Sequence, residues 1–354
     1  MAEAPRMDLP WLAPAIDRAL AMPNAHALLL HGAAGDGLYE CAQAITHAWL
    51  CEADAGLARP CGQCGACRLL AGGMHPDLHR LLPEDLRLQL GVQTGDAGEG
   101  TDGEGGGKGK RKPSRQIRID EVRAAIDWVA TTSSRGRAKV VLVHPAEAMN
   151  LQSASALLKT LEEPPRGARL LLTAAEPAQL LPTVRSRCQV VRLVPPAAEV
   201  ARRWLQDQGL AQPDVLLAAC SQRPLDALAM AAAGIDAARW AALPAAVLGR
   251  QPAAFSGWAV PRVIDALHKL CHDGMALAAG AAPRFFPSPA LPRPATAAAL
   301  AAWSRDLARQ ARHADHPWNE GLLIDALLAQ ASAAWAGRAA DRALGPEGSD
   351  TLER

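Results

Sequence analysis

The chain has 354 residues, enough for two or three domains with sizeable cores. Hydrophobic residues make up 49% and charged residues 21%, the range of soluble globular chains, and the 4% aromatic content beside abundant alanine points to helices with a minority of strands. A formal net charge of +1 excludes a global basic field, so any contact with nucleic acid has to be local or shared with partners.

Residues 1–12 carry charges and prolines and no apolar core of the kind a secretory signal needs; the expected location is cytoplasmic. The longest apolar runs, such as 297–303, are too short and too alanine-rich to span a bilayer. Eight cysteines in such a chain point to metal or free thiols rather than disulfides.

Along the chain, Trp11, Leu12, Ile16 and Leu20 recur at helical spacing. Residues 26–30 form a short apolar run, the mark of a strand buried on both faces. It leads into a glycine-rich stretch, Gly32, Gly35 and Gly37, and then a helical pattern over 40–50. Strand, glycine-rich loop and helix is the phosphate-loop context, and Gly32 and Gly37 have its separation. The next two positions, where lysine and Ser/Thr would grip phosphate and Mg²⁺, are Leu38 and Tyr39. A plain glycine-rich turn is the competing reading.

Cys51, Cys61, Cys64 and Cys67 follow, spaced C-x9-C-x2-C-x2-C. Four thiolates this close suit tetrahedral zinc in a closed structural site, and Pro60, Gly62 and Gly65 supply the tight turns. An iron–sulfur cluster competes, although Cys67 lacks the C-x3-C-P continuation. Paired-cysteine redox chemistry competes too, and would need only two of the four. Cys41, Cys188, Cys220 and Cys271 stand alone and read as buried small apolar residues. His75 and His79 read as ordinary packing or surface histidines, since four cysteines already fill a zinc shell.

A second strand is expected over 78–82. Residues 91–116, glycine with acids and then the basic run that begins at Lys108, cannot bury enough to order themselves and read as a flexible insertion. A helix is expected over 121–130 with Asp120 as its cap and Val122, Ala125, Ile126 and Val129 on one face. Residues 139–143 read as a buried parallel strand that ends in His144-Pro145-Ala146-Glu147 and not in the paired acids of a Mg·ATP site. A helix carrying Ala154, Leu157, Leu158 and Leu161 stops at Pro164-Pro165. Strands over 169–173 and 189–193 complete five runs alternating with helices, hence a parallel α/β sheet. Beyond Pro195 the strand pattern vanishes. Helices are expected over 197–208 and 213–233, then alanine- and leucine-rich helix over 237–335 broken by a proline-rich stretch at 283–294, then a polar tail.

These stretches together resemble the clamp-loader subunits of the AAA+ class, those of bacterial DNA polymerase III. The resemblance rests on the four-cysteine set after the loop helix and on Ala156-Leu157-Leu158-Lys159-Thr160-Leu161-Glu162-Glu163-Pro164-Pro165. It rests also on Ser186-Arg187-Cys188, which matches the arginine-finger motif, and on a three-part layout. It is dense over 24–195 apart from the insertion, and weak in the C-terminal helices. It implies a P-loop-type five-stranded domain over 1–195 with a zinc knuckle at 51–67, a small helical lid domain over 196–240, an all-α collar for oligomerisation over 241–336 and a flexible tail over 337–354.

The departures implicate a non-hydrolysing, stator-type member. Leu38-Tyr39, His144-Pro145 and Leu225 (ahead of Asp226-Ala227-Leu228) stand where relatives that hydrolyse ATP carry their nucleotide-handling residues. The resemblance implies structural zinc and no ATP on this chain. Its partners would be motor subunits of the tau/gamma type and a delta subunit in a hetero-oligomeric ring, with a sliding clamp and primed DNA reached through the complex. Arg187, in its Ser186/Cys188 motif, would reach in trans to ATP held by a neighbour. Activity would belong to the polymerase holoenzyme, a nucleotidyltransferase, and not to the chain alone. Two alternatives stay open: an active AAA+ ATPase with unusual residues, and a nucleic-acid-binding module built on the knuckle and the 108–115 basic run.

Overall fold

The structure, a computed structural model, describes residues 9–22, 25–54, 57–92, 113–294, 296–312 and 319–337. All but the ends of the 91–116 insertion lie outside these, as does the tail beyond Gly337. Contacts divide the chain into two compact units, 1–197 and 198–354.

In the first unit, helix α1 (Ala13–Leu20) precedes strand β1 (Ala27–His31), and α2 (Leu38–Leu50) follows it. Then come α3 (Gly65–Ala71), β2 (Leu78–Leu81), α4 (Glu84–Leu90), α5 (Ile119–Val129), β3 (Lys139–Val143) and α6 (Leu151–Glu162). Strand β4 (Ala168–Ala174), the single-turn α7 (Pro182–Arg185) and β5 (Gln189–Arg192) close the unit. Among the described residues the five strands form one parallel sheet in the order β2-β3-β4-β1-β5. The central strands are buried along nearly their whole length, His31 and Arg169 being half-buried, which is why they read as apolar runs. Helix α2 packs on β1, β3 and β4, and α5 on β2 and β3. Val122, Ala125 and Val129 of α5 join Leu157 and Leu161 of α6 in the core around β3 and β4. Strand β5 has a free edge and leaves Val190 exposed.

Several expectations shift. The strands fall within a residue of their sequence positions. Helix α5 starts at Ile119, so Asp120 is not its cap: Glu121 reaches back 3.0 Å to accept the Arg118 N–H. Helices α3 and α4 were not expected. Each is seven residues long, too short to display a periodic face. The end of the insertion is also fixed, since Ser114 donates its N–H to Glu84 and accepts from that of Asp85.

The second unit is helical: α8 (Ala198–Asp207), α9 (Pro213–Ala219), α10 (Pro224–Ala232), α11 (Ala237–Leu248), α12 (Val260–Ala278), α13 (Ala297–Ala311) and α14 (Glu320–Trp335). The expected single helix over 213–233 is two. Ser221 and Gln222 adopt left-handed φ of 56° and 66°, and Pro224 starts a new helix because it cannot extend the old one. Gly274 lets α12 approach α14, since a Cβ there would lie 2.7 Å from the Trp335 ring. Among the described residues no single helix is long and apolar enough to cross a membrane.

Candidate functional site

Three features expected from the sequence lie in the first unit. The first is the turn after β1, at the carboxyl edge of the sheet where open α/β folds bind ligands. Gly32 is needed there because a Cβ would come within 2.7 Å of Leu193. The chain then closes on itself. Asp36 N–H bonds to Ala33 O and Gly37 N–H to Ala34 O, each at 3.1 Å, so two donors that would cradle phosphate serve the loop's own carbonyls. The N-terminal segment seals the turn. The Trp11 indole N–H donates to Asp36 O at 2.7 Å, and a Cβ on Gly37, whose φ is +95°, would lie 3.1 Å from Leu9 and 3.3 Å from Leu12. Gly35 is buried within the turn.

The side chains of Leu38, Tyr39 and His144 pack inward. Leu38 is 1% exposed. The Tyr39 ring lies 4.7 Å from that of His144, whose Nδ1 pairs with Thr173 Oγ1 at 2.6 Å. Burial lowers the His144 pKa to about 4 and raises that of Tyr39, so both are neutral at pH 7. Glu147, the nearest acid in sequence, accepts the Glu176 N–H at 2.7 Å. The edge where Mg·ATP chemistry would sit holds a neutral aromatic pair.

The second feature is the four-cysteine cluster. Its sulfurs all lie within 4.8 Å of one another, with Cys51–Cys64 at 3.9 Å and Cys61–Cys67 at 4.0 Å. A tetrahedron with metal–sulfur bonds of about 2.3 Å has edges of about 3.8 Å, so the donor set fits a metal ion. Backbone N–H groups of Ala53, Cys61, Cys64 and Cys67 point at the sulfurs from 3.4–3.5 Å. Such donors, from Gln63 and Cys64, lower the Cys61 pKa to about 6, while burial raises that of Cys67 to about 12. His75 and His79 stay outside the cluster. His75 Nδ1 accepts the Asp77 N–H, and the His79 ring lies 5.4 Å from that of Trp128.

No sequence pattern signalled the frame behind the cluster. Buried Asp77 accepts the N–H groups of Ser134 and Arg135 at 2.7 and 2.9 Å. Arg135 Nε then donates to Glu52 Oε1 at 2.6 Å, and Glu52 Oε2 accepts the Ala66 N–H at 3.2 Å, between two of the cysteines. Arg59 and Arg137 both donate to Ala53 O. The lone cysteines Cys41, Cys188, Cys220 and Cys271 are buried, and burial raises their pKa values to about 11–12. That leaves them inert thiols.

The third feature is the Ser186-Arg187-Cys188 turn between α7 and β5. Cys188 is buried in the core, and the Ser186 hydroxyl donates to Thr183 O at 3.1 Å. Between them the Arg187 side chain stays one-third exposed. Its Nε donates to Glu162 Oε1 at 2.6 Å, its Nη2 contacts the same oxygen, and its Nη1 donates to Thr183 O at 2.9 Å. Glu162 belongs to the motif that ends α6, 25 positions away, and no local pattern foretells the pair. In the second unit, Arg223, two residues before Leu225, pairs with Asp226 at 2.8 Å.

A parallel sheet with a sealed phosphate-type turn, a cysteine cage and an outward arginine defines the AAA+ clamp-loader class, and comparison with known proteins narrows it. The model of the family described as "DNA polymerase III, delta subunit" matches residues 18–197. The DNA polymerase III subunit delta' of Pseudomonas aeruginosa is 38% identical over 60% of this chain and 57% of its own length. That of Escherichia coli is 32% identical over 75% of this chain and 78% of its own. The E. coli subunit tau is 30% identical over 51% of this chain and 23% of its own length. The chain belongs to the DNA polymerase III delta-subunit family, and the relatives it resembles at 32–38% identity are delta' subunits.

Proposed function

We propose that this chain is the delta'-type stator of a clamp loader. It does not hydrolyse ATP itself, and it sits in a ring with tau/gamma-type motor subunits and a delta subunit that places a sliding clamp on primed DNA. Arg187 is its contribution to chemistry: a guanidinium offered in trans to the γ-phosphate of ATP on an adjacent motor subunit. A permanently charged planar donor suits the charge that develops in phosphoryl transfer, and in GTPases such fingers are worth about 10³–10⁵ in rate. Supplied in trans, it ties hydrolysis to assembly.

One contrast carries the reading. The chain's own phosphate-type turn spends its N–H groups internally beneath Leu9, Trp11 and Leu12, whereas Arg187 stays accessible on a turn anchored by Cys188. The cysteine cage takes one Zn²⁺, bound by Cys51, Cys61, Cys64 and Cys67 as a closed structural site; when bound, the ion cross-links the knuckle and has no open position for catalysis. Residues 196–240 serve as the lid domain and 241–336 as the collar that holds the ring. The protein works in the cytoplasm.

The test is the DNA-stimulated ATPase of a reconstituted loader. With Arg187→Ala the rate should fall by at least about tenfold while the complex still assembles, and the purified single chain should bind no ATP. An unchanged rate in an assembled complex refutes the finger. Turnover by the lone chain refutes the stator.

A further inference from the structure

We propose that Glu162 is the positioning residue for Arg187, which makes the end of α6 and the Ser186-Arg187-Cys188 turn one device; this rests on the finger reading above. A guanidinium has five N–H donors in a rigid fork. Three are committed: Nε and one on Nη2 to Glu162 Oε1, and one on Nη1 to Thr183 O. The remaining two sit one on each terminal nitrogen, and the Nη1 donor has only a 3.5 Å contact to Ser186 Oγ. Paired donors on the two terminal nitrogens are what a phosphate takes bidentately.

The alternative role for a carboxylate here is a latch that competes with phosphate for the same donors. The geometry argues against it. Glu162 holds the Nε edge, and a latch would hold both terminal nitrogens. The carboxylate is itself well placed to orient. It is the last residue of α6, a helix fixed by buried Leu157 and Leu161 and stopped by Pro164-Pro165, so the core fixes its backbone while its side chain stays 47% exposed. Thr183 O comes from the first turn of α7, which is anchored by buried Val184. Two rigid elements therefore grip one flexible side chain from two sides. The orientation Arg187 would otherwise have to find on meeting a neighbour is set beforehand.

The experiment is a double-mutant cycle in the reconstituted loader, with kcat and KM of the DNA-stimulated ATPase measured for wild type, Glu162→Ala, Glu162→Gln, Arg187→Ala and Glu162→Ala/Arg187→Ala, and assembly checked for each by size-exclusion chromatography. Glu162→Ala should lower kcat by about tenfold with KM for ATP unchanged, because orientation and not ground-state binding is lost. Glu162→Gln, which keeps the accepting oxygen, should recover most of the rate. The double variant should be no slower than Arg187→Ala alone, as for residues acting as a unit. Additive losses, or an undiminished kcat in Glu162→Ala while Arg187→Ala is impaired, overturn the positioning role and leave the finger standing. No loss in Arg187→Ala overturns both. A Glu162→Ala rate above wild type identifies the latch and overturns the proposal.

Discussion

Replacing Glu52 by alanine removes a side chain that links the cysteine cage to the segment ahead of β3. Its Oε1 takes the Arg135 Nε and its Oε2 the Ala66 N–H between Cys64 and Cys67. Residues that orient metal ligands without touching the ion typically cost about 10–100-fold in affinity when removed. The Glu52 and Arg135 side chains are 27% and 32% exposed, so water competes for both, and the lower end of that range applies. The expected loss for Glu52→Ala is about tenfold in zinc affinity. Arg135→Ala should cost less, about threefold, because Glu52 still reaches the Ala66 N–H and only an exposed ion pair is lost. The assay is competition with a chromogenic chelator on the purified chain, with circular dichroism to verify that both variants remain folded. A Glu52→Ala affinity within twofold of wild type, or a larger loss in Arg135→Ala than in Glu52→Ala, would refute the view that the carboxylate fixes the cage.

Two further outcomes concern stability. His144 is buried with its folded pKa lowered from 6.5 to about 4, so the unfolded chain binds the proton more readily between those values. Stability should therefore fall as pH drops from 6.5 to about 4 and level off below, by up to about 3 kcal/mol at 1.4 kcal/mol per pH unit, and denaturant midpoints across that range should show a shallower slope in His144→Gln. In the second unit the fully buried Asp273 accepts the N–H groups of Arg284, Phe285 and Phe286, each at 2.8 Å, and beneath it Trp240 stacks on Phe286 at 4.6 Å. Asp273→Ala should cost about 4 kcal/mol in urea unfolding, because three donors lose a charged acceptor at once; a change below about 1 kcal/mol would mean the proline-rich segment is held by its aromatics alone.

The sheet was legible because its central strands are buried on both faces, and a run such as Val140-Val141-Leu142-Val143 admits few other readings. The cysteine cage was legible because its ligands are close in sequence and thiolates at that spacing have few other uses. The break at Ser221-Gln222 was not, since two residues in left-handed conformation leave no mark on an apolar pattern, although Pro224 was the signal available. The partnerships Arg135–Glu52 and Arg187–Glu162 were beyond reach for another reason. They join residues 83 and 25 positions apart through isolated side-chain ion pairs, and sequence periodicity carries no information about such pairs. The sealing of the phosphate-type turn by Leu9, Trp11 and Leu12 was hidden likewise. Trp11 and Leu12 advertised only an amphipathic helix, and Leu9 lay outside that pattern.

On the stator reading proposed above, that seal sets packing against any return to nucleotide handling. A lysine at position 38 would thrust an ammonium into a site that is 1% exposed, and a serine or threonine at position 39 would leave His144 without the ring that lies tilted 4.7 Å from it. Neither reversion would free the N–H groups of Asp36 and Gly37 or lift Trp11 from the turn. Each single step back is disfavoured by packing before it can be rewarded by binding. On that reading, packing opposes each return step, and a ring built with this chain would keep one position that does not hydrolyse ATP.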